Sequence, residues 1–150
     1  MQQQNLSPEA RRRALLSPEL RARILREKNL PAGQFERFVT ESFGKMYRMD
    51  AGFDYEPAAS SSLLAEAQRR GCDPQTLAYE WLSEDAGNGM IYFPLFNYAE
   101  GNLDCLQALH SHPLTRMGLS DAGAHCGAIC DGGMPTFMLS HWTRVSNDSA

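Results

Sequence analysis

The sequence predicts an α/β chain that carries part of a (β/α)₈ barrel, and three observations predict it. Residues 90–143 alternate strand, helix, strand, helix; the intervening helix has the length that joins neighbouring parallel strands; and the second strand runs directly into Gly118-Leu119-Ser120-Asp121-Ala122-Gly123-Ala124-His125. In such barrels the strands hold their C-terminal ends rigidly while the loops beyond them vary, so reacting groups gather at that rim. A whole barrel takes about 250 residues, and this chain has 150. It is expected to supply only a portion.

The elements follow in order. Ser7-Pro8-Glu9 and Ser17-Pro18-Glu19 each place a capping serine, a proline at the first helical position and an acid in the first turn. Two short helices are predicted there. In the second, Leu20, Ile24 and Leu25 share a face, and the seven arginines between residues 11 and 37 read as a solvated face rather than an anion patch. Phe35, Phe38, Val39 and Phe43 recur at helical intervals and are expected in the core, followed by a short strand or extended connection at Met46–Met49.

A loop over residues 50–62 leads to a helix near 62–70 that ends at Gly71, and Asp73-Pro74 caps another whose buried face is Leu77, Ala78, Trp81 and Leu82. Strands are predicted near 90–94 and 115–119, with a helix over 101–110 between them and a closing helix over 137–142. This divides the chain into a polar, Arg-rich helical region over residues 1–55 and a partial barrel over 56–150.

Composition excludes several classes. With 43% hydrophobic and 21% charged residues the chain can bury a core, and a net charge of −4 opposes general attraction to nucleic acid or to an anionic membrane. No apolar run reaches the roughly 18 residues of a membrane span, and the first residues lack the pattern of a secretion signal. The expected location is the cytoplasm. Cys72, Cys105, Cys126 and Cys130 then read as reduced thiols.

Asp121 is the foremost candidate. A carboxylate just past an apolar strand, beside Gly123 and Gly127, can ligate a divalent metal and take the proton of an attacking water; it can equally serve as a turn residue or helix cap. His125, four residues on, can support it as ligand, shuttle or orienting partner. Asn97 and Tyr98 end the earlier strand and would open onto the same rim, where they could hydrogen-bond a substrate carboxylate or amide, or simply cap a loop. His110-Ser111-His112 has the form of a binuclear metal motif, yet it lies at a helix end before Pro113, on the face away from the chemistry. Cys126 and Cys130 with Asp121 and His125 could make a small zinc module, but a lone C-x₃-C pair is a poor signature for one.

Taken together, Tyr92-Phe93-Pro94-Leu95-Phe96-Asn97-Tyr98-Ala99-Glu100-Gly101-Asn102, the Gly118–His125 stretch, and Cys130-Asp131-Gly132-Gly133-Met134-Pro135-Thr136 with His141-Trp142 resemble the N-acyl-D-amino-acid deacylases of the amidohydrolase superfamily. The resemblance runs from about residue 55 to 144. It implies that the two βα units are the last two of a metal-dependent-hydrolase TIM barrel preceded by a helical insertion. It further implies that Asp121 follows the eighth strand as metal ligand and general base, that His125 supports it, and that zinc is the cofactor. The implied reaction is hydrolysis of an N-acyl-D-amino acid to a D-amino acid and a carboxylate. The family's other metal ligands have no counterpart in these residues, so the resemblance implies a fragment inactive by itself, with self-association or a partner chain covering its open edges. A noncatalytic remnant acting as a helical interaction module is the alternative.

Overall fold

The computed structural model describes residues 6–27, 33–118, 120 and 131–142. They form two compact units, residues 1–102 and 103–150.

The first unit is built on helix pairs that local capping chemistry starts and stops. Helix α1 (Pro8–Leu15) begins where the Ser7 hydroxyl accepts from Ala10 N at 3.2 Å, and α2 (Pro18–Arg26) where Ser17 accepts from Leu20 N at 3.3 Å. Helix α4 (Leu63–Arg70) is capped by Ser62 and closed by Gly71 at φ 62°, a left-handed conformation that costs glycine nothing. Helix α5 (Pro74–Gly87) starts on the Asp73 carboxylate, which accepts from Thr76 N at 3.0 Å. The Ser7, Ser17, Asp73 and Gly71 caps stand where the sequence places them.

Packing of α4 against α5 makes the core. Met46, Leu63, Ala67, Leu77 and Trp81 form one buried cluster, with Phe43, Cys72, Ala78, Ile91 and Phe93 against it. Leu77 and Trp81 are one helical turn apart and both point inward, whereas Leu82, expected beside them, is 48% exposed. Helices α1 and α2 then fasten onto α5: the Tyr79 hydroxyl donates to Leu15 O at 2.8 Å and Arg21 pairs with Glu80 at 2.6 Å. This is why the packing boundary falls after Asn102 and not near residue 55. The Arg-rich helices belong to the same unit as the core, and Arg12, Arg13, Arg23 and Arg26 face solvent.

Strand pairing differs from the sequence expectation. Strand β1 (Tyr47–Met49) pairs antiparallel with β2 (Met90–Tyr92), in the register Tyr47 to Tyr92, Arg48 to Ile91 and Met49 to Met90. The expectation set β2 beside a parallel neighbour at 115–119, but Thr115–Gly118 carry no strand, and among the described residues these two strands are the whole sheet and no barrel is formed. The apolar run there is short and interrupted by Arg116, so little favours pairing. Leu114 is 87% and Met117 49% exposed.

The aromatic stripe is a second difference. Phe35 and Phe38 lie on α3 (Gln34–Glu41), where they are 58% and 37% exposed; Phe38 meets Phe93 edge-on at 5.5 Å and carries the Lys45 ammonium 5.4 Å above its ring. Helical spacing made the stripe, but only Phe43 and Val39 are even half-buried.

The second unit holds α6 (Asp104–Ser111), a turn closed by Thr115 N donating to His112 O at 3.0 Å, a 3₁₀ turn at Asp131–Gly133, and α7 (Met134–Phe137), which continues as a π-helical turn over Met138–Trp142. The closing helix therefore starts earlier than residue 137 and loosens where it was expected to begin. No helix among the described residues is long and apolar enough to cross a membrane.

Candidate functional site

The sequence candidates divide into those the structure describes and those it does not. Asp121 and His125, and with them Cys126 and Cys130, lie outside the described residues. Asn97 and Tyr98 are described, just after β2, and they differ sharply. Asn97 is exposed in a left-handed conformation at φ 60°, which its short polar side chain tolerates. Tyr98 is buried at 4% exposure, and its hydroxyl donates to Pro57 O at 3.0 Å.

That bond fastens the segment after β2 to the loop before α4. Burial pushes the Tyr98 phenol above its ordinary pKa, and nearby Tyr47, Glu56 and Asp54 push the same way, so it remains a donor. Tyr98→Phe strands the Pro57 carbonyl. Its expected cost is about 1 kcal/mol of stability in urea unfolding; an unchanged midpoint would show that the bond carries no weight.

The His-x-His pair sits at the end of α6 as expected. His112 follows the last helical residue and its Nδ1 accepts from Leu114 N at 3.2 Å, while the His110 ring stands edge-on to Trp142 at 5.5 Å. Trp142 also meets His141, which stacks on Phe137 at 4.7 Å. The two imidazoles of the motif therefore serve a loop and a ring cluster separately. Among the described residues no three His, Cys, Asp or Glu side chains converge as a metal needs, so the described part of the chain does not by itself fit the zinc that the resemblance implies. Cys72, packed against the core cluster, carries a free thiol.

A cleft in the first unit was not marked by any sequence motif. It encloses about 470 Å³ between the loop after β1 and the last turn of α4, with Tyr47, Phe53 and Trp81 contributing aromatic surface. From the helix come Arg69 and Arg70, which share the single carboxylate of Glu66. The hydrogen bond from Arg70, aided by the charges of both arginines and opposed by burial, holds Glu66 below the usual carboxylate range. From the strand and loop come Arg48, paired with Glu84 at 2.7 Å, and Asp50 and Asp54, which make no ion pair among the described residues. Only the Glu66 pairings at three- and four-residue spacing were readable in advance. The acids lie more than ten residues away in a loop, where local periodicity carries no signal.

No family model, no curated protein and no solved structure matches the chain.

Proposed function

We propose that this chain is the C-terminal barrel portion of an N-acyl-D-amino-acid deacylase-type amidohydrolase, acting in the cytoplasm and inactive until other segments complete it. The observation that carries the reading is the ordered set of three motifs, Tyr92–Asn102, Gly118–His125 and Cys130–Thr136 with His141-Trp142, in one stretch of chain. Asp121 is the general base: it takes the proton of a water whose oxygen attacks the amide carbonyl, and that proton then leaves on the departing amine nitrogen as the C–N bond breaks. The products are a carboxylate and a D-amino acid. His125 supports Asp121, and Asn97 supplies polar contact from the segment after β2. Zinc is the expected cofactor, held by Asp121 together with ligands from the completing segments.

Exposed apolar surface supports the need for completion. Phe96 is 77%, Leu114 87% and Leu139 70% exposed, and burying such residues stabilises an assembly by about 1.5–3 kcal/mol each. A second reading, a noncatalytic module docking through its N-terminal helices, is favoured by Leu16 at 69% exposure beside the solvent-facing arginines of α1 and α2. One assay separates them. The chain alone is expected to release no amino acid from N-acetyl-D-amino acids, and the chain co-expressed with a polypeptide carrying the other barrel strands is expected to release D-amino acid in the presence of zinc. A complex that forms yet hydrolyses nothing would favour the module.

A further inference from the structure

The charges around the first-unit cleft do not balance locally. Arg69 and Arg70 share one carboxylate, leaving the helix side with an uncompensated positive charge. Arg48 is neutralised by Glu84, and among the described residues Asp50 and Asp54 make no ion pair and leave the loop side with negative charge, Asp54 accepting the backbone N–H of Glu56 at 2.9 Å. A simple anion would meet the two aspartates, and a simple cation would meet the two arginines. The complement is one molecule bearing both charges.

Two further features narrow its chemistry. Phe53 lies edge-on to Tyr55 at 5.5 Å and to Tyr92 at 4.9 Å, and lines the cleft with ring surface for an apolar group. Trp81, 5% exposed, lines the same cleft and adds a second aromatic surface.

We propose that this cleft binds a small apolar zwitterion, an amino acid in chemical class, with its carboxylate toward Arg69 and Arg70, its ammonium toward Asp50 and Asp54, and its side chain against Phe53. The site lies wholly within the first unit and is independent of the hydrolase reading. Its charged groups are partly exposed, so affinity is modest, in roughly the millimolar range.

The experiment uses the full chain carrying Trp142→Phe, which leaves Trp81 as the sole indole. Its fluorescence is titrated with phenylalanine, with 3-phenylpropanoate, which lacks the ammonium, and with phenethylamine, which lacks the carboxylate. Phenylalanine is expected to give a saturable change and to bind about fivefold more tightly than either analogue. Adding Arg69→Gln should weaken phenylalanine but not phenethylamine, and adding Asp50→Asn should weaken phenylalanine but not 3-phenylpropanoate. Each variant's far-UV circular dichroism checks that it folds, and the two act from opposite sides of the cleft. Equal binding of the three ligands, a preference for phenethylamine, or no saturable change would overturn the proposal.

Discussion

Gly89→Ala is expected to destabilise the first unit by about 3 kcal/mol or more, even though it adds a single methyl group. Gly89 lies between the end of α5 and the start of β2, and its N–H donates to Glu84 O at 3.1 Å. A Cβ at this position would stand 1.8 Å from the Trp81 carbonyl oxygen, 2.9 Å from the carbonyl carbon and 3.2 Å from Leu82 Cα. All three are backbone atoms of α5, so no side chain can rotate aside. Either α5 loses hydrogen bonds in its middle or β2 moves off β1, and each route disturbs the buried Trp81. Urea unfolding followed at the tryptophans measures this; a loss below about 0.5 kcal/mol would mean that the close approach of strand and helix is not a constraint.

Leu77→Ala is the second large effect, with an expected loss of about 2–5 kcal/mol. Leu77 is 0% exposed and sits in the cluster with Met46, Leu63, Ala67 and Trp81, where α5 meets α4. Truncation removes apolar contacts and leaves a cavity whose walls, two short helices and a three-residue strand, are each fixed by caps or ladder bonds and collapse only partly. Leu82→Ala, on the same helix but 48% exposed, is the internal control and should cost under about 1 kcal/mol. Equal effects at the two positions would contradict the inward assignment of Leu77.

What could be read from the sequence follows how local the physics is. Ser7, Ser17, Asp73 and Gly71 act on backbone groups within a few residues, so the starts of α1, α2 and α5 and the stop of α4 were legible. Pairing of β1 with β2 was not, because three-residue strands separated by two helices have too little pattern to declare a partner, and the alternation around residues 90 and 115 suggested a parallel pair instead. Phe35 and Phe38 show the same limit in another form: spacing reveals a stripe but not whether anything packs on it. For the site, the sequence singled out Asn97 and Tyr98 as neighbours of equal standing. Burial of Tyr98 and its bond to Pro57 separate them, since the phenol is engaged in holding the fold while Asn97 remains at the surface. Arg69, Asp50 and Trp81 share a cleft only through the loop between β1 and α4 and the packing of α4 on α5, and no motif spans them.

The hydrolase proposal rests on one carboxylate, and Asp121→Asn tests it most directly. In the assembly of this chain with the remaining barrel strands, removal of the base is expected to lower N-acyl-D-amino-acid hydrolysis about 10²- to 10⁴-fold, with the assembly itself still forming. Hydrolysis within a factor of about two of the unsubstituted assembly, by an intact complex, would contradict the role given to Asp121 and with it the functional assignment of the chain.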